Sequence, residues 1–174
     1  MDDSTLVKEC IKGNAKAQRL LFDKFSKKML GVCLRYSNSQ EEAEDVLQEG
    51  FIKAFSKLSD FSHEGSLEGW IRRIMTNTAI DSIRKNTKFL KDISIDKVDY
   101  QIGNNDFIVE GLNAEDLMRL INSMPNGYKV IFNMFAIEGY SHIEISTTLG
   151  ISESTSKSQY MRAKSYLRNR IEGK

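Results

Sequence analysis

Between residues 91 and 113 the helical rhythm that runs through the rest of the chain stops. No apolar residue recurs there at a sustained period. Two glycines and the pair Asn104-Asn105 interrupt the stretch, and Asp92, Asp96, Asp99, Asp106 and Glu110 outweigh Lys97. A run of about two dozen residues without periodicity is too long for an ordinary loop inside one domain, and its acidity suits a solvated connector. The 174 residues therefore divide into two small domains, 1–90 and 114–174, with an acidic linker at 91–113. The whole chain has a single proline, Pro125, and runs of Leu, Ile, Lys, Glu and Ala on both sides of the linker favour helix over strand. The expected fold class is all-α, two small helical domains.

Helix signals place the elements. Asn14 caps a helix to about Tyr36, whose buried stripe is Leu21, Phe22, Phe25, Met29, Val32, Cys33 and Tyr36. Ser39 with Glu42 forms a capping box for a helix through about Leu58. A loop with Gly65 follows, and Ser66 caps a third long helix over roughly 67–87. After the linker come four shorter helices. Asn113 and Asp116 start the first, and Pro125 stops it; the second runs from about Gly127 to Ile137. Ser141 with Glu144 opens the third, which Gly150 closes, and Ser152 caps the last, from Glu153 to about Ile171.

Composition excludes several classes. With 40% hydrophobic and 28% charged residues the chain is not disordered throughout. No stretch is long enough to cross a bilayer, and the acidic start has no signal-peptide character. Cys10 and Cys33 sit far apart in apolar helical patterns and read as buried free thiols in a reducing, cytoplasmic setting. His63 and His142 have no metal-like spacing and no nucleophile beside them, so no catalytic group, metal or cofactor is expected. A net charge of +1 decides nothing, because nucleic-acid binding depends on where the charge sits.

The charge is placed on particular faces. In the last pair of helices Gly150 can take the left-handed conformation that a helix-turn-helix needs, with Ile151 filling the angle. At about 100° per residue, Tyr160, Ala163, Leu167 and Ile171 of the last helix point inward. Thr155, Ser158, Gln159 and Arg162 share the opposite side, flanked by Lys157, Lys164, Arg168 and Arg170. Hydroxyl, amide and guanidinium groups can read base edges while lysines meet phosphates. A solvated face is the plainer alternative; the turn, caps and basic flanks together favour DNA. Ser156 falls in the middle of the inner side, where its hydroxyl is expected to bond a carbonyl one turn earlier.

The third helix has a second basic face. Arg73, Asn77 and Arg84 project within roughly 40° of one another, with Trp70 at the border and Arg72, Lys85, Lys88 and Lys91 beyond. Leu67, Ile71, Ile74 and Thr78 lie opposite, as its buried side. An aromatic beside basic and amide groups suits an unpaired base, though a lone tryptophan is as readily a packing anchor. On the second helix Leu47, Phe51, Ala54 and Leu58 face inward, while Asp45, Gln48 and Glu49 surround an outward Ile52. A solvated face explains the acids; only a protein-docking patch also explains Ile52.

Taken in order, these motifs resemble the extracytoplasmic-function (ECF) group of the sigma-70 family over nearly the whole chain except the linker. Glu44-Asp45-Val46-Leu47-Gln48-Glu49-Gly50-Phe51 resembles the family's polymerase-binding segment, which implies polymerase contacts for Asp45, Gln48, Glu49 and Ile52. Phe61-Ser62-His63-Glu64-Gly65-Ser66, Trp70-Ile71-Arg72-Arg73-Ile74 and Asn77, Asp81 and Arg84 resemble the segment that captures the -10 promoter element. That resemblance implies a loop receiving a flipped base, with Phe61, His63, Ser66, Trp70, Arg73, Asn77, Arg84 and Lys85 on the separated strand. Met124-Pro125, Glu138-Gly139-Tyr140-Ser141 and Leu149-Gly150-Ile151-Ser152 resemble the domain that reads the -35 element as duplex, implying Ser154, Thr155, Lys157, Ser158, Gln159 and Arg162 as readers. The linker is too short for the extra domain of larger sigma factors, and its acidity suits a segment threading the polymerase channel. Met75 stands where the family usually has a small residue, and Ser146 and Ser156 where Ala and Val are common.

The resemblance implies a non-enzymatic chain, monomeric when free and not inserted in a membrane. Its partners would be the largest and second-largest subunits of core RNA polymerase, promoter DNA and an anti-sigma factor. Two rival readings use the same residues differently. A stand-alone regulator would use only the helix-turn-helix and dimerise on a palindrome. A helical anti-sigma or scaffold protein would need neither basic face.

Overall fold

Every helix start that can be read from a polar residue before an apolar period is used. In the computed structural model, which describes residues 2–85 and 112–173, all regular structure among the described residues is helical. The chain divides into two units, Met1–Lys85 and Asn86–Lys174. Most of the acidic stretch, with Lys88, Lys91 and the last residue expected of the third long helix, Thr87, lies outside the described residues.

The first unit contains α1 (Asp3–Ile11), α2 (Ala15–Leu34), α3 (Gln40–Ser56), a 3-10 turn (Leu58–Asp60) and α4 (Leu67–Arg84). The short α1 adds an element to those expected. Asp2 caps it by accepting from the Thr5 N–H at 2.7 Å, and Leu6, Val7 and Cys10 are its buried stripe. Asn14 caps α2 by accepting from the N–H groups of Lys16 and Ala17. Ser39 caps α3, but the Glu42 carboxylate reaches the Asn38 N–H at 2.7 Å, one residue before the cap. That still satisfies an orphan donor at the helix entrance.

Helices α2, α3 and α4 pack on one another around Leu21, Phe25, Met29, Leu47, Phe51, Leu67, Ile71 and Ile80. Phe22 is only half-buried, its ring 4.7 Å from that of Phe51. On α4 the inward face is broader than its apolar pattern: Met75 is fully buried and Ile74 only half-buried. The reason lies on α3. Gly50 has no Cβ, and one added there would meet Sδ and Cε of Met75, so the glycine opens the notch that the methionine fills.

The second unit contains α5 (Ala114–Asn122), α6 (Asn126–Phe132), a π-turn (Asn133–Ile137), α7 (His142–Leu149) and α8 (Glu153–Glu172). Asn113 caps α5 by accepting from Asp116 N–H. The expected second helix is thus an α-helix that widens at its end. The Glu138 N–H donates to the Asn133 carbonyl at 2.9 Å, five residues back, and Gly139 with φ 76° ends the run. Ile121, Met124, Tyr128, Ala163 and Leu167 form one cluster of its core, with Leu117 and Phe132 packed against it, and Ile131, Met134, Ile145 and Leu149 are buried as well.

Candidate nucleic-acid and docking interfaces

The outer side of α3 is as its sequence period requires. Val46, Leu47, Phe51 and Ala54 are buried, while Asp45, Gln48 and Glu49 are exposed and Ile52 is 70% exposed. Glu49 pairs with Lys53 at 2.8 Å, and Lys53 also lies 3.8 Å from Asp81 on α4. The hydrogen bond from Lys53 holds the Glu49 carboxyl below its ordinary range. Covering the exposed part of Ile52 is worth about 1–2 kcal/mol of apolar transfer, and the carboxylates of Asp45 and Glu49 on the same side of the helix would favour a basic partner.

The loop before α4 is built on aromatic contacts. Phe61 is 9% exposed, and its ring lies 4.7 Å from His63 and 5.6 Å from Trp70. The family resemblance implies Phe61 among the residues on the separated strand; the structure buries it as the floor of the loop, its ring packed beside that of Trp70. His63 is exposed with φ 61°, an uncommon left-handed backbone for a residue with a Cβ, and Gly65 follows at φ 124°. Ser66 accepts from the Gly69 N–H at 3.0 Å, so its oxygen is engaged as the cap of α4. Trp70 is half-buried, which combines the packing role and the presented edge. Arg73, Asn77, Arg84 and Lys85 are all exposed along α4.

The helix-turn-helix has its full set of local locks. Ser141 accepts from the Glu144 N–H at 3.1 Å while the Glu144 carboxylate accepts from the Ser141 N–H at 2.9 Å. Gly150 has φ 68°, and the Ile151 N–H reaches the Ser146 carbonyl at 3.1 Å. Ile151 is half-buried in the turn. On α8, Ser154, Lys157 and Ser158 are exposed and Thr155 and Arg162 half-buried. The cap Ser152 gathers the hydroxyls of Ser154 at 3.0 Å and Thr155 at 2.8 Å, and Lys157 pairs with Glu153 at 2.7 Å.

Two expectations about α8 are corrected. Gln159 is 2% exposed and therefore is not on the outward face. It lies three residues after Ser156 and four before Ala163, and the inner side of α8 runs through all three. Ser156 is inside as expected, but its hydroxyl meets His142 Nδ1 at 2.9 Å rather than a carbonyl. His142 is in the first turn of α7, as read, and also stacks on Phe135, with ring centroids 4.3 Å apart. Sequence reasoning did not join His142, Phe135 and Ser156. The one available signal was a hydroxyl at a core position with a polar ring 14 residues earlier across a helical turn.

The model for Sigma-70 region 2 matches residues 21–89 and that for Sigma-70, region 4 matches residues 114–167, together more than half of the chain. The RNA polymerase sigma-H factor of Pseudomonas aeruginosa is 26% identical over 173 residues, covering 93% of this chain and 90% of its own. The ECF RNA polymerase sigma factor SigW of Bacillus subtilis is 27% identical over 176 residues, covering 95% and 94%. Among solved structures, the sigma factor RpoE of Bartonella quintana, in complex with the anti-sigma factor NepR, shares the fold. It does so with a TM-score of 0.54 at 19% identity, over 88% of this chain and 96% of that one.

Proposed function

We propose that this chain, which belongs to the sigma-70 family in its ECF group, directs core RNA polymerase to promoters and takes part in opening them. The observation that carries the reading is one of order. A region 2-like bundle with an exposed Ile52 among carboxylates precedes a capped helix-turn-helix in a single chain.

Residues 1–90 form the part that meets polymerase and the -10 element, 91–113 the linker, and 114–174 the part that reads -35 duplex. Asp45, Gln48, Glu49 and Ile52 dock on polymerase. His63, Trp70, Arg73, Asn77, Arg84 and Lys85 follow the separated strand, above the floor made by Phe61. Ser154, Thr155, Lys157, Ser158 and Arg162 meet the duplex, with Lys157 on phosphate. The chain works by assembly and makes no covalent change. Flipping a base costs a few kcal/mol of unstacking, which the aromatic loop and basic helix offset. An anti-sigma factor holds the monomeric chain inactive until it is needed. No described helix is long and apolar enough to cross a membrane, and the work proposed is cytoplasmic.

Core polymerase pull-down and run-off transcription test this directly. Wild type is expected to bind core and support transcription, with promoter affinity falling steeply as salt rises. An Asp45→Arg, Gln48→Ala double variant should lose both while remaining folded. Failure of the wild type to bind core at low salt overturns the proposal.

A further inference from the structure

The helix-turn-helix contains a polar contact that an apolar core would not need. Ser156 lies at the centre of the inner side of α8 with no exposure, and its hydroxyl is 2.9 Å from Nδ1 of His142, the first residue of α7. The imidazole lies nearly parallel to Phe135 of the π-turn, 14° between planes, and meets Tyr160 of α8 edge-on at 5.8 Å. The rings of Phe135 and Tyr160 are themselves 4.5 Å apart. Three elements, the π-turn, α7 and α8, converge on one ring.

We propose that His142 is a positioning residue for the duplex-reading face: Ser156 Oγ–H donates to a neutral Nδ1, and this bond sets how α8 is seated. Duplex affinity then depends on the protonation of the ring. The inference rests on the sigma reading for its ligand, duplex DNA, but the contact itself does not.

An apolar side chain at position 156 could be satisfied by neighbours in any direction. A buried hydroxyl is satisfied only by a partner at hydrogen-bond distance along a narrow range of angles, and leaving it unmade is costly. The seat of α8 is therefore directional at Ser156, between Ser154 and Lys157–Ser158, whose exposed side chains face outward. A small rotation of α8 about this point moves those groups relative to a groove. With the neutral ring protonated on Nε2, Nδ1 accepts. In the imidazolium Nδ1–H donates to Ser156 Oγ instead, so the bond reverses and the buried Ser156 hydrogen must turn to another acceptor, which alters the seat.

The charged groups in range come from α8: Lys157 opposes the imidazolium and Glu153 favours it, and the two are paired with each other. The π-turn presents the Phe135 ring and α8 adds Tyr160, while Glu144 of α7 is turned to the Ser141 N–H. Partial burial of the ring is the largest influence and favours its neutral form.

The test uses the full chain bound to core polymerase and a duplex that the wild type selects from a randomised pool. Ser156→Ala and His142→Phe are each expected to weaken that duplex about fivefold to tenfold at pH 7.5, since each strands or removes one partner. A Ser156→Val, His142→Phe double variant, apolar at both ends, is expected to recover to within about twofold. It should also lack the loss of affinity expected of the wild type as pH falls through the titration midpoint of its ring.

Histidine NMR on the free chain gives a second readout. The wild-type ring should be the Nε2–H tautomer, and Ser156→Ala, which removes one oxygen only, should raise its titration midpoint. Additive losses in the double variant, a duplex affinity indifferent to the singles, an Nδ1–H tautomer, or an unmoved midpoint would each overturn the proposal. If the wild type enriches no duplex, the sigma reading falls, and the NMR tautomer and midpoint still decide whether the bond positions the helix.

Discussion

Gly50 and Met75 should be coupled strongly, with Gly50→Ala destabilising in the wild type and stabilising in the Met75→Ala background. A Cβ at residue 50 would stand 3.0 Å from Met75 Cε and closer still to Sδ, and Met75 is 0% exposed, so its terminus has little room to withdraw. In Gly50→Ala, relief of the glycine penalty in a helix interior contributes about 1 kcal/mol of stability. Overpacking removes about 1–3 kcal/mol. The net change is a loss of about 0–2 kcal/mol. Met75→Ala alone empties a buried site at a cost of about 2–5 kcal/mol. In the double variant the new methyl occupies part of the vacated notch and the helix gain remains, so the overpacking does not arise. The double variant should then be more stable than Met75→Ala alone, with a coupling of about 1–3 kcal/mol.

Urea titration followed by fluorescence measures this in the right unit. Trp70 is the only tryptophan in the chain and is half-buried against Phe61. Effects that add to within about 0.5 kcal/mol would refute the account of the notch.

Four other outcomes are expected. Burial holds the His142 ring below its ordinary value of 6.5, so both folded and unfolded chains are neutral above that pH. As pH falls through it the unfolded chain takes up the proton first, and the melting temperature of the second unit should drop in wild type and not in His142→Phe. The Cys33 thiol is fully buried and pushed up to about 11, so it should resist alkylation at pH 8 until urea unfolds the first unit. Ser141→Ala removes one side of a reciprocal capping box and should cost the second unit about 1 kcal/mol, read by calorimetry. Ile52→Ser should leave urea stability within about 0.5 kcal/mol of wild type, because the side chain is exposed, while core polymerase capture falls.

The sequence by itself determined what depends on local rules. Asn14, Ser39, Ser66, Asn113, Ser141 and Ser152 each open a helix, because a short polar side chain satisfies an orphan N–H within three residues. Gly150 closes α7 in the left-handed region, which few other residues enter cheaply. The outward Ile52 also follows from a period of 3.6 residues alone.

Only the tertiary structure decided matters that hang on a neighbour from another element. A helical projection gives a direction but not what stands there. It placed Gln159 outward, where the width of the α8 interface buries it, and it left Phe61 on a loop that the bundle draws inward. Met75 is accommodated by a glycine 25 residues earlier on α3, and Ser156 by a ring 14 residues earlier on α7. Packing and hydrogen bonding act over a few ångströms in space, whatever the separation along the chain, so complementarity between distant residues appears only once the helices are brought together.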